Sequence, residues 1–597
     1  MPILSLYNNE KLELECSYEE KEIAKNIVGH RWDRKRKTWM YPISQEPYNL
    51  LVKKIKDLEV SPEVEKAIKD DLKLKKELLS IKKLDDIDLK INIKSKLTLF
   101  KHQKVTMAYL LKVKNGLIAD ELGVGKTAPT ILTAIHYKKQ KEIDKCIVIC
   151  PSTTKFSVWE SEIEKFTNEK SIVINGTKKK RLKQYDEFFN DDSILFMVIN
   201  YALVRVDLNE KFICSHCDNI VSGFGKQGNC PRCKRNTLVN NGEIKFSTLW
   251  DELNLMVVLD ESIKIKSRKA LQTKAVKSIP AKYKIAISGY PVANKLIDIW
   301  SQFDWLKEGL LGNYWSFEDR FLVKDYFNAI VGHKNMGILK NKIEPYYIRR
   351  LKKNVLDLPP KVYTQRDVEL TGKQASAYKQ MKKDLIVLIE GMSEEQIVLE
   401  APTILTQMMR LSQISAGFLS QPPIINKPIW FEDVAKFKAL DEIVEEVIAN
   451  NKKIVVWARF VAMTRKIAER YQQYNSQYID GSVPSLKRKE IIDACNFGDI
   501  NVLSLQMQTC SMGVNLTGAS TEVFTDLAFI SPSDYVQAQE RLHRPGQKNK
   551  VTIVNLIAKK TIDEYWYKLL SEKQEVANML ITDHKSLTKS TLMEMLN

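Results

Sequence analysis

The sequence predicts an α/β protein with two parallel-sheet units and a helical segment between them. It adds a zinc-ribbon insertion in the first unit and a small N-terminal module. Three observations carry this. From about residue 97, short β-branched runs such as CIVICP (146–151), SILFMVINY (193–201), LMVVLDE (255–261) and YKIAIS (283–288) alternate with amphipathic helical stretches, the pattern of parallel strands joined by helical crossovers. The alternation stops after DLPPK (357–361), where Pro359 and Pro360 end any helix, and a helical span runs to about 450. It resumes with KIVVWARF (453–460), NVLSLQ (501–506), STEVFTDLAF (520–529) and VTIVNLIA (551–558).

The expected divisions follow in order. Residues 1–60 form the small module and 61–95, charged with helical spacing, a connecting helix. Residues 96–356 form the first unit, interrupted by the insertion at 207–247. Residues 357–583 form the second unit with its helical insertion, and 584–597 a C-terminal tail.

Composition narrows the class. The 597 residues are 44% hydrophobic and 28% charged, with only 22 Gly and 19 Pro, which suits a soluble chain with several packed cores and little low-complexity disorder. No apolar run reaches the length of a membrane span, and the start lacks the basic-then-apolar layout of a signal peptide. The expected location is the cytoplasm, or the nucleus of a nucleated source, with no membrane partner. The net charge of +19 favours a polyanion, nucleic acid being the commonest, against the alternative of a lysine-rich proteome. Nine cysteines make no disulfide framework; Cys16, Cys146, Cys150, Cys495 and Cys510 read as reduced residues, most of them buried.

The segment GLIADELGVGKTAPTIL (116–132) reads as strand, tight loop and helix. Gly123 and Gly125 let backbone N–H groups turn toward a phosphate, Lys126 reaches the outer phosphates, and the Thr127 hydroxyl can ligate Mg²⁺. Asp120 stands where the strict phosphate-loop pattern has its first glycine, and the bland alternative is a glycine-rich turn with a surface lysine. The second half of the site is MVVLDE (256–261). A buried strand delivers Asp260 and Glu261 at its carboxyl end, where open α/β sheets bind ligands. Asp260 would hold Mg²⁺, and Glu261 would orient and deprotonate the water that attacks the γ-phosphate of ATP.

The order of motifs resembles the Swi/Snf-type branch of the superfamily 2 helicases, which are DNA-dependent ATPases with two RecA-like lobes. The likeness covers about 97–583. LFKHQ (99–103) is similar to the adenine-reading motif, with Gln103 in the reading position, and ADELGVGKT to the first motif, in which Asp120 is normal. PSTTKFSVWESEIEKF (151–166) and INYALV (199–204) resemble DNA-contacting motifs of lobe one. SGYPVANK (288–295) is similar to a coupling motif and implies roles for Ser288, Gly289 and Asn294, with Tyr290 in place of the usual Thr. YYIRRLKKNVLDLPPK (346–361) resembles the stretch linking the lobes.

In lobe two, YIDGSVPSLKRKEII (478–492) and LSLQMQTCSMGVNLTGAS (503–520) follow in the expected order. The resemblance counts Gly513 with the nucleotide site and Asn515 with coupling. QAQERLHRPGQKNKV (537–551) is the strongest match, implying DNA coupling for Gln537 and arginine fingers in Arg541 and Arg544. Three residues apart, those two arginines are expected on one helix face. The family has DEAH or DEAQ where this chain has DESI, so Ile263 occupies a position that normally couples hydrolysis to lobe two.

Cys214, Cys217, Cys230 and Cys233 stand as CxxC–x12–CxxC, and two such knuckles supply four thiolates to one tetrahedral Zn²⁺. A redox pair is the alternative. The insertion is basic, which leaves DNA contact and stability alone as equal readings. In the N-terminal module, VGHRWDRKRKTWMYPIS (28–44) brackets basic residues, Arg34 and Arg36 among them, with Trp32 and Trp39. That suits base stacking with phosphate contact; a hairpin with buried tryptophans is the alternative. The stretch loosely resembles the HARP domain of annealing helicases, which implies branched DNA as substrate.

The expectation is an ATP-driven translocase, monomeric, on double-stranded or branched DNA, needing ATP, Mg²⁺ and Zn²⁺ and remodelling forks, annealing strands or displacing bound proteins. The rivals are a true strand-separating DNA or RNA helicase and a DNA-binding scaffold with weakened ATPase coupling.

Overall fold

Seven parallel strands form the central sheet of the first half, in the spatial order Tyr347–Ile348, Asn115–Ile118, Tyr283–Ile287, Leu255–Asp260, Lys145–Cys150, Ile194–Asn200, Lys170–Val173. The computed structural model describes residues 2–89, 98–208, 210–214, 220–223, 238–240, 250, 253–292, 296–326, 330–421, 424–510, 514–572 and 589–596. The chain divides into two compact units: 1–121, 125–155 and 159–355, and 122–124, 156–158 and 356–597.

The sheet of the first unit is parallel because each strand returns through a helical crossover, and strands covered on both faces must be apolar throughout. Leu255 to Leu259 meet that condition, none more than 1% exposed. Each such side chain contributes about 1.5–3 kcal/mol by leaving water. The internal strand Lys145–Cys150 begins with a buried charge, Lys145, whose Nζ donates to Asp191 O (2.7 Å) and Ile194 O (2.9 Å).

The N-terminal module belongs to this unit. Its five strands run in the order Arg31–Asp33, Thr38–Pro42, Lys11–Glu15, Ile3–Tyr7, Glu59–Val60. Close backbone approach seats it on the helical flank. A Cβ on Gly29 (φ +89°) would meet Pro42 Cδ at 2.8 Å and Gly309 O at 3.0 Å. Glu308 pairs with Lys11 (2.7 Å) and with Arg31, and Glu46 with Arg320 (2.8 Å) and Lys342. The connecting helix is shorter than its charge pattern suggested, ending at Ile81. Asp85, Asp86 and Asp88 follow, and acids at a helix C-terminus oppose its dipole.

The second unit has six parallel strands, in the order Lys361–Val368, Val551–Ala558, Thr521–Phe524, Ile454–Ala458, Val502–Gln506, Ser476–Ile479. Helices Gly372–Glu390 and Glu394–Ala416 pack together and share a core with Trp566. The expected tail instead forms helix Lys589–Leu596, which buries Leu592 in that core. Lys436 and Asp563 make a fully buried ion pair at 2.5 Å, and the lysine also donates to Thr525 O at 2.7 Å. Burial this complete is tolerated only when the charges satisfy each other.

Among the described residues no helix is long and apolar enough to cross a membrane. Of the four insertion cysteines, Cys214 closes strand Glu210–Cys214, whereas Cys217, Cys230 and Cys233 lie outside the described residues, and with them the zinc site.

Candidate nucleotide and coupling sites

Register decides which candidates share an edge. In the first unit Ile118 lies level with Ile287, and Ile287 with Asp260. The loop after Ile118, the Ser288–Gly289 pair and Asp260–Glu261 therefore leave the sheet at the same end of three adjacent strands. The outer two are roughly 10 Å apart at ordinary strand spacing.

The loop has the backbone its glycines predict: Gly123 has φ +79° and Gly125 φ +87°. Helix Thr127–Lys139 begins immediately after Lys126, so its unpaired N–H groups and positive dipole end open at the loop. Lys126 Nζ donates to Asp120 O at 2.9 Å and Glu121 O at 3.0 Å. The ammonium is thereby held inside the loop that a phosphate would enter.

Gln103 lies behind that loop and is nearly buried. Its Oε1 accepts from Phe100 N (3.0 Å), capping helix Lys101–Val113, and its Nε2 donates to Gly125 O (2.9 Å). A Cβ on Gly125 would collide with that amide nitrogen. The side chain expected to read adenine is thus placed as a brace between helix cap and phosphate loop.

Asp260 is half-buried and held from two sides. Trp159 Nε1 donates to its Oδ2 at 3.0 Å, and Tyr201 Oη to its backbone carbonyl at 2.8 Å. Trp159 lies in a π-helical turn, Lys155–Glu160, a conformation that recurs at functional positions. Glu261 adopts φ 51°, ψ 56°, the left-handed region that costs a residue with a Cβ about 1–3 kcal/mol. Such strain persists only where the surroundings impose it. The chain then enters a short 3₁₀ turn, Ser262–Ile265, in which Ser262 Oγ donates to Gln302 Oε1 at 2.7 Å and Ile263 is half-buried.

Burial pushes the Asp120 carboxyl up, opposed by the nearby cations of Arg350 and Lys126. Ser288 is buried, and its N–H donates to Ile118 O at 3.0 Å, joining the coupling segment to the strand that feeds the loop. Asn294 lies outside the described residues. The donor set fits a magnesium nucleotide: a helix N-terminus, an ammonium, a hydroxyl at Thr127 and a carboxylate at Asp260 on one sheet edge.

In the second unit the expected helix face fails for the two arginines. Helix Pro532–Gln539 ends before both Arg541 and Arg544. Pro545 and Gly546 follow, and a residue preceding proline is pushed out of helical conformation. Arg541 N instead donates to Ala538 O, and Arg544 N to Leu542 O. Arg541 is 2% exposed, and its carbonyl accepts from Leu516 N at 3.0 Å. The arginine segment is thereby tied to the stretch carrying Asn515, which is exposed. Gln537 is nearly buried on the helix, and Gly513 lies outside the described residues.

The N-terminal pair divides. Trp39 is 6% exposed and belongs to the core of the module, because all of strand Thr38–Pro42 is buried, so it offers no face to a base. Arg36 is committed to Glu13 (2.6 Å through Nε), which holds that carboxyl below its usual range. Trp32 and Arg34 remain exposed, with Trp32 packed 4.9 Å from Trp39. Trp159, Tyr201 and Arg350 had no assigned partners in the sequence reading. No spacing rule links Trp159 to an aspartate 101 positions away.

Residues 24–417 match the model of the SNF2-related domain, and 435–546 that of the helicase conserved C-terminal domain. An uncharacterised ATP-dependent helicase of Mycoplasma genitalium, MG018, is 27% identical over 500 residues, 82% of this chain and 43% of that one. The putative ATP-dependent helicase/translocase YwqA of Bacillus subtilis is 24% identical over 524 residues, 85% of this chain and 51% of that one. The chain spans about half the length of these relatives. A solved structure described as the Sulfolobus solfataricus SWI2/SNF2 ATPase core in complex with dsDNA aligns over 85% of this chain and 99% of that one, at 24% identity and a TM-score of 0.37.

Proposed function

The chain belongs to the SNF2-related family, and from that premise we propose that it hydrolyses ATP to move along double-stranded or branched DNA. The observation that carries the ATPase reading is the shared sheet edge, where one register sets the phosphate loop level with Asp260 and Glu261. Lys126 leaves the Asp120 and Glu121 carbonyls to meet the outer phosphates. Thr127 and Asp260 hold Mg²⁺, which when bound neutralises phosphate charge. Glu261 orients the attacking water and accepts its proton. The family resemblance gives Arg541 and Arg544 the role of arginine fingers.

The DNA reading rests on the excess of +19 and on the order of motifs within the family. Branched DNA is the preferred substrate if the exposed Trp32 and Arg34 of the N-terminal module engage unpaired bases and phosphates. Ile263 supports a second reading, a DNA-binding scaffold with weakened coupling, because isoleucine offers no hydrogen bond from that turn. One experiment separates them: ATP turnover measured without DNA and with single-stranded, blunt duplex and forked DNA. Stimulation by duplex or fork that Glu261→Gln abolishes, with DNA binding retained, is the expected result. Wild-type protein with no turnover on any DNA would establish the scaffold, and a strand-displacement assay showing efficient ATP-dependent unwinding of long blunt duplex would establish a true helicase.

A further inference from the structure

Residues 119–121 are held from both sides. From one side Lys126 engages the carbonyls of Asp120 and Glu121. From the other comes the stretch through which the chain leaves the first unit. Ala119 N donates to Ile348 O at 2.7 Å and Glu121 N to Arg350 O at 3.0 Å. Lys352 N donates to Glu121 Oε2 at 2.6 Å. The Arg350 guanidinium is pinned to helix Lys101–Val113, with Nη1 donating to His102 O and to Thr106 Oγ1 (3.0 Å).

Between these anchors is an open joint. Arg350 Nη1 and Asp120 Oδ2 stand 3.9 Å apart, an ion pair without a hydrogen bond. Arg350 Nη2 and Asp120 Oδ1 are both buried and have no hydrogen-bond partner among the described residues. Two opposite charges out of water with capacity unspent gain by closing on each other. Lys126 shares the field of Asp120. A phosphate that drew the ammonium away would leave Arg350 as the cation facing that carboxylate.

We propose that Arg350 is a positioning residue that couples nucleotide occupancy at Lys126 to the segment Tyr347–Val355, by closing on Asp120 when the lysine leaves the loop carbonyls. This rests on the nucleotide-site reading above. It supplies a route from the phosphate loop to the chain leaving the first unit that does not pass through Ile263.

Amide hydrogen exchange on the full chain tests it, with and without the non-hydrolysable analogue AMPPNP and Mg²⁺ and without DNA. The reporters are the amides of Ala119, Glu121 and Lys352. In the wild type, the analogue should slow their exchange by about tenfold or more. Arg350→Ala should lose this nucleotide-dependent slowing while its Kd for AMPPNP stays within about threefold of wild type. A merely structural arginine would speed exchange equally in both states, and that result overturns the proposal, as does a variant that responds like wild type. If Arg350→Ala does not fold, Arg350→Gln removes the charge while keeping a donor for the His102 carbonyl and takes its place with the same expectations. Wild-type binding without slowing overturns this proposal alone; no binding overturns the nucleotide site and the proposal together.

Discussion

The indole Nε1 of Trp159 donates to Oδ2 of Asp260 at 3.0 Å, so a fully buried tryptophan fixes the orientation of the carboxylate assigned to magnesium. Trp159→Phe keeps the packing and removes the donor. A hydrogen bond to a charged group contributes about 1.5–3 kcal/mol. The Mg²⁺ concentration for half-maximal ATPase should therefore rise by about tenfold or more, read by titrating Mg²⁺ at saturating ATP. An unchanged midpoint would show that Trp159 serves packing alone.

Gly125 meets two demands at once, a left-handed backbone and a contact with Gln103 that leaves no room for a Cβ. Gly125→Ala should weaken ATP binding by about tenfold or more, since both the strain and the displaced brace fall on the phosphate loop. Calorimetric titration with ATP measures it. Gly546, also at positive φ but with nothing near its Cβ, provides a comparison for strain without collision.

Stability should carry a pH signature from Glu522. Its carboxyl is buried in the second unit, bonded to Trp457 Nε1 at 2.9 Å, and burial pushes its pKa from an ordinary 4.5 up to about 8. The folded chain therefore holds a proton there that the unfolded chain releases. Its contribution to stability is full below about pH 4.5 and is lost as pH rises toward 8. Glu522→Gln, neutral at every pH, should raise the melting temperature at pH 8 more than at pH 5. Parallel melting curves for the two proteins across that range would refute it.

The zinc reading stands on four cysteine positions in the sequence. Cys230→Ser should lose about one equivalent of zinc per chain, measured by elemental analysis of the purified protein. Equal zinc in variant and wild type would remove the ribbon.

Much of this protein was decided locally. Apolar strands followed by helices made two parallel sheets inevitable, and the register of MVVLDE placed Asp260 at a carboxyl edge, because a parallel strand buried on both faces has one end open to ligands. The loop glycines announced their own backbone. Other features depended on distant chain. Trp39 shares its basic, aromatic surroundings with Trp32 and is its cross-strand partner, yet one is buried and the other exposed, because Trp32 sits on the edge strand of the module's sheet and Trp39 on an internal strand. The arginine pair lies beyond its helix, which ends at Gln539. The contacts of Trp159 with Asp260 and of Arg350 with the phosphate loop join residues more than a hundred positions apart. Burial and hydrogen-bond geometry select such pairs only after the sheet has brought its strand ends together, which is why tertiary structure alone decided them.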